Sequence, residues 1–233
     1  MSTNRLEAPA PTPQSLALRE STRERLVSAA RARLASGEEA TPRLVEELCR
    51  DTGVRPASFR ALFPGPEGLL DAVNDQLVEE CASRLRLAVT DFVPTPGASG
   101  EAALVEAAAA MGAARPLDRS SLVIRQTRRS QALRLGVGSA GAAQAERRFV
   151  GALSDAFESL FAAQGRRFSW PPVLAVRIIL DTYERSFEAW LLDGNAEGDF
   201  VNAPYISRSL PDLLARLSEP AGPAAPAEPK LAE

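Results

Sequence analysis

Residues 41–73 read TPRLVEELCRDTGVRPASFRALFPGPEGLLDAV, and the punctuation of this stretch decides the fold. Thr41-Pro42 is an N-cap followed by proline at the first helical position, where the missing N–H costs nothing. Leu44, Val45 and Leu48 form the buried face of that helix, and Gly53 is a natural stop. Val54 and Arg55 cross a short turn before Pro56 opens a third, brief helix that ends ahead of Pro64-Gly65-Pro66. Phe59 and Phe63 lie four residues apart and share a face. Short helix, glycine turn, short helix is a helix-turn-helix arrangement. A helix of that length is not stable alone, so Phe59, Leu62 and Phe63 must hold it against its predecessors. Arg55, Ser58 and Arg60 or Ala61 are then left outward, as reading a DNA major groove requires.

The rest of the chain is helical in pattern. The spacing Ser21-Thr22-Arg23-Glu24 predicts a capping box opening the first helix, whose stripe is Leu26, Val27, Ala30 and Leu34 and whose stop is Gly37. Residues 1–20 and 218–233, rich in Pro, Ala and Ser, read as a disordered arm and a disordered tail. A fourth helix is expected from Pro66 toward Pro94, and others at Glu101–Ala114, Pro116–Leu135, Ala142–Gln164, Pro171–Leu192 and Ala203–Leu217. The fold class is all-α: a helix-turn-helix domain over residues 21–65 and a larger helical bundle over 66–217. The run Gly136-Val137-Gly138-Ser139-Ala140-Gly141 has neither a strand before it nor Gly-Lys-Ser/Thr after it. It reads as a flexible loop and not a phosphate cradle.

The stretch from Leu44 to Val73 resembles the N-terminal domain of the TetR family of bacterial transcriptional regulators. Leu48, Gly53, Val54, Ser58, Phe59, Phe63, Glu67, Leu69 and Leu70 fall in register with the pattern of that family. Departures lie at Arg60, where the family has tyrosine, at Pro66, where it has lysine, and at Arg55, where it has serine or threonine. The resemblance implies a homodimer that binds a palindromic operator in double-stranded DNA. It also implies a small-molecule effector, bound in the C-terminal domain, that releases a repressor. The expected DNA contacts are Thr41 and Arg43 at the head of the second helix, where free N–H groups favour an anion, and Arg55, Ser58 and Arg60. The rival reading is an effector-binding or scaffolding dimer of the same fold that has lost useful DNA affinity.

Composition narrows the alternatives. The 233 residues are 45% hydrophobic and 24% charged and contain no histidine, which removes imidazole acid–base chemistry, Ser-His-Asp triads and His-containing zinc sites. No cofactor, metal or enzyme motif is read. Cys49 and Cys81 suit a reducing cytoplasm, and no apolar run approaches a membrane span. The net charge is −3, and Lys230 is the one lysine. Residues 1–72 balance ten arginines against ten acids, whereas residues 115–148 carry eight arginines against Asp118 and Glu146. If some of those arginines turn inward, an anionic effector follows, with Arg125 and Tyr183 as candidate contacts. Trp170, Tyr183, Phe187 and Trp190 are candidate pocket aromatics. Val173, Val176, Leu180, Phe187, Leu210, Leu213, Leu214 and Leu217 are the expected dimer face.

Overall fold

The computed structural model of the chain describes residues 12–90, 92–97, 100–135 and 140–221. The helices run α1 (Pro13–Ala35), α2 (Pro42–Thr52), α3 (Pro56–Leu62), α4 (Pro66–Thr90), α5 (Gly100–Ala113), α6 (Arg119–Leu135), α7 (Ala140–Ala163), α8 (Pro172–Leu192) and α9 (Leu210–Leu217). Two three-residue strands, β1 (Arg166–Phe168) and β2 (Ser218–Pro220), pair antiparallel with Arg167 opposite Glu219. Two units pack separately: the chain through Asp75 with α6 from Val123 onward, and the remainder.

In the first unit α1 begins at Pro13, not at Ser21, and residues 13–20 are helical rather than a disordered arm. Thr12 is the N-cap, its side chain accepting from the Ser15 N–H at 3.3 Å. The polar run at Ser21 continues the helix because Thr22 Oγ1 donates back to the Leu18 carbonyl at 2.8 Å. Leu26, Val27, Ala30 and Leu34 are buried as the stripe requires, and α2 contributes Leu44, Leu48 and Cys49 to the same interior. Burial pushes the Cys49 thiol up, which suits a packing role.

In the second unit one apolar core joins Leu104, Met111, Phe149, Leu153, Phe161, Val176, Ile179 and Leu214. Phe168 packs edge-on to Phe161 at 4.9 Å, and Arg166 donates to Ser218 Oγ at 2.8 Å, which fastens the strand pair to that core. Of the helix expected over 203–217, residues 204–217 are helical throughout but not as one regular α-helix. Pro211 has no N–H to offer four residues back, so the α-helix starts at Leu210, behind a π turn at Tyr205–Ser209 and a 3₁₀ turn at Glu197–Asn202. Ile206 of the π turn lies so close to α5 that a Cβ on Gly112 would fall 2.9 Å from its Cγ2. Of the Gly-rich run 136–141, residues 136–139 lie outside the described residues and Ala140 and Gly141 begin α7.

The expected dimer face is corrected by this core. Val176, Phe187, Leu210, Leu214 and Leu217 are buried inside the unit, where α8 and α9 pack with their neighbours. Leu180 and Leu213 are half-buried on the same core, and Val173 remains exposed. Among the described residues no helix is long and apolar enough to cross a membrane.

Candidate functional site

The helix-turn-helix is built from local signals. Thr41 Oγ1 accepts from the Leu44 N–H at 3.2 Å and caps α2. Gly53 closes α2 at φ 69°, a left-handed turn that any side chain would strain, and the Val54 N–H returns to the Cys49 carbonyl at 2.9 Å. Val54 is buried, so the chain leaves the turn with Arg55 on the outside as the N-cap of α3. Phe59 and Phe63 are 2% and 3% exposed, with ring centroids 5.2 Å apart. They anchor a seven-residue helix that lacks a side-chain cap. Arg55, Ser58 and Arg60 are exposed, and among the described residues their side chains make no hydrogen bond or ion pair.

Residues of α1 join this face, which the sequence reading missed. Leu18, Arg19, Thr22 and Arg25 line a groove of about 410 Å³ with Arg55, Ser58 and Leu62. Arg19 donates to the Ala61 carbonyl at 3.3 Å, a cation on the C-terminal end of α3, and the Arg23 guanidinium stands 6.0 Å from the Phe63 ring centroid. Thr12-Pro13 is the same cap-and-proline signal as Thr41-Pro42 and was available to find the longer helix. The unit also gains positive charge, because α6 brings Arg125, Arg128, Arg129 and Arg134 and no acid. Arg128 Nε donates to Asp71 Oδ1 at 3.0 Å, and Arg134 lies 3.5 Å from Glu39.

The other candidate effector contact, Tyr183, lines a cavity of about 110 Å³ in the second unit with Gly112, Arg115, Phe187 and Phe200. Tyr183 and Phe187 meet the Phe200 ring edge-on at 5.4 and 5.1 Å, and Trp190 meets it at 6.1 Å. Trp170 is exposed and does not line the cavity. Arg125 is buried in the first unit.

The fold is similar to that of Salmonella enterica GusR. That solved structure aligns with a TM-score of 0.53 at 17% identity, over 92% of this chain and 98% of the other. No family profile and no curated protein matches the chain.

Of the expected DNA contacts, two are already engaged: Thr41 as the cap of α2, and Arg43. Arg43 Nε donates to Glu47 Oε1 at 3.0 Å, although the side chain is 87% exposed. Glu47 also accepts from Arg33 Nη2 at 2.6 Å, and Arg33 reaches Glu38 and, at 3.6 Å, Asp51. This network ties the end of α1 to α2. Hydrogen bonds from Arg33 hold the Glu38 and Glu47 carboxyls below their ordinary value of 4.5. A carboxyl lowered in the folded state contributes stability above its ordinary value that is lost as pH falls through the lowered one. Melting followed by circular dichroism is therefore expected to be flat above about pH 4.5 and to weaken below it, with Glu47→Gln blunting the acid decline.

Proposed function

We propose that the chain is a sequence-specific DNA-binding transcriptional regulator that works as a homodimer and is released from its operator by a small ligand. The observation that carries the reading is α3 with its cap, a helix held by two buried phenylalanines whose three exposed polar side chains, Arg55, Ser58 and Arg60, have no partner among the described residues. Arg55 at its head suits a guanine edge, while Ser58 and Arg60 suit phosphate. Thr41 and Arg43 at the head of α2 are proposed as backbone contacts, with part of the Arg43 charge spent on Glu47. Arg19 and Arg25 on the same groove extend the basic face along α1. The likeness to Salmonella enterica GusR supports the all-helical architecture that this reading needs.

Dimerisation is assigned to the start of α8. Trp170, just ahead of α8, and Val173 and Leu174 in its first turn are 49%, 51% and 43% exposed, an apolar patch suited to a twofold partner. Sedimentation of the wild type is expected to give a dimer at micromolar concentration, and Val173→Glu with Leu174→Glu a monomer of unchanged helicity. Wild type sedimenting as a monomer would overturn the assignment.

The regulator reading is tested by a gel shift with DNA flanking the chain's own gene. Binding to a palindrome, with a half-site bound far less tightly, supports it. Protein that binds no such DNA at low salt leaves the rival, an effector-binding or scaffolding dimer without DNA affinity. Pro66 and the carboxylates around Arg33 and Arg43 favour that rival.

A further inference from the structure

The residue after the C-terminal turn of α5 is Arg115, at φ 45°. It is the one non-glycine residue among those described with a positive φ. That backbone closes the helix: the Arg115 N–H returns to the Gly112 carbonyl at 3.1 Å, and Arg84 donates to the Arg115 carbonyl at 3.0 Å. Both bonds use the main chain, and glycine would make them without strain. The side chain must therefore account for the arginine. Its guanidinium has one partner among the described residues, the Gly198 carbonyl at a stretched 3.4 Å, and no carboxylate.

That guanidinium stands on the rim of the 110 Å³ cavity. Tyr183, Phe187 and Phe200 are nearly fully buried and make the apolar floor, while Arg115, Glu197 and Gly198 are exposed around it. The Tyr183 hydroxyl has no hydrogen-bond partner among the described residues, so the lining includes a donor without an acceptor. Glu197 turns to the Arg119 N–H at 3.3 Å and places one negative charge on the same rim. Each carboxylate on a ligand is repelled by that charge, so the single cation of Arg115 suits one carboxylate better than two. The volume is somewhat below the roughly 150 Å³ that encloses a benzene ring in an apolar cavity, but the rim is open to solvent, so the body is a short branched chain or at most one ring that stays partly in the mouth.

We propose that this cavity binds a small monocarboxylate, its carboxylate on Arg115 and its apolar body against Tyr183, Phe187 and Phe200. As an effector site it rests on the regulator reading; as a binding site it does not.

Calorimetry on the full chain, without DNA, tests it with phenylacetate and 3-methylbutanoate and with the uncharged 2-phenylethanol. One molecule of at least one acid is expected to bind per chain, at least tenfold tighter than the alcohol. Arg115→Gly is expected to weaken that binding at least tenfold while leaving the melting temperature unchanged or raising it by about 2 °C, because the left-handed backbone is relieved. Three results would overturn the site: no binding of either acid at millimolar concentration, equal binding of the alcohol, or full binding by Arg115→Gly. A clear fall in the melting temperature of Arg115→Gly would assign the arginine to structure instead. An acid that binds but leaves a working gel shift unchanged removes the effector role and keeps the site. Failure of the gel shift itself bears only on the regulator reading.

Discussion

Phe59→Ala is expected to abolish DNA binding at every salt concentration. The ring is 2% exposed and packs on Phe63, and these two side chains are the main anchors of a seven-residue helix. Truncating a buried phenylalanine typically costs about 3–5 kcal/mol, a large share of what a domain has to spare. The α3 helix has no intrinsic stability to fall back on, so the turn and the exposed Arg55, Ser58 and Arg60 lose their fixed relation. Circular dichroism should show partial loss of helix at lower temperature, and the gel shift should vanish. Carboxylate binding at Arg115 should persist, since that cavity belongs to the core of the other unit. Phe59→Leu should recover most of the stability. A Phe59→Ala protein that binds operator like the wild type would mean that α3 does not read DNA.

Arg55→Ala is the opposite kind of change. The side chain is exposed and uncommitted, so stability should move by no more than about 0.5 kcal/mol. If the guanidinium reads a guanine, affinity should fall by roughly 1–3 kcal/mol, or about 5- to 150-fold. The loss should be confined to one base pair, so that operators altered there bind wild type and variant alike. Arg60→Ala should instead weaken all sequences similarly and lower the salt slope by about one per subunit. Arg55→Ala with unchanged affinity and preference would return the recognition role to other residues of the groove, Arg25 first.

The elements that were legible in the sequence are those specified within a few residues. Thr41-Pro42, Gly53 and Pro56 each act through their own backbone, and α2, the turn and α3 stand where those residues put them. The start of α1 was missed because Ser21 and Glu24 imitate a cap, while the working cap, Thr12-Pro13, lies in a Pro/Ala-rich run. Helical periodicity marks a buried face without saying what buries it. Val176, Leu210 and Leu214 were therefore assigned to a partner, although their own unit covers them. The exposed positions of Arg55, Ser58 and Arg60 follow from the phenylalanine spacing, whereas Arg19 and Arg25 reach the same groove only through tertiary packing. Arg115 gave no signal at all, because nothing in a one-letter code marks a left-handed arginine.

The corner between α1 and α2 is joined by Arg33, Glu38, Glu47 and Asp51 as well as by its apolar stripe. The choice of chemical denaturant then becomes informative. Guanidinium chloride is a salt, and at molar concentration it shortens the reach of charge to about 3 Å, whereas urea leaves it intact. These groups are partly open to solvent, with Asp51 at 59%, so the ionic tie is modest and accessible to screening. Low guanidinium chloride should loosen this corner before it touches the aromatic core, and urea at matched strength should not. Substitutions at Arg33 should accordingly show a small cost in urea and next to none in guanidinium chloride.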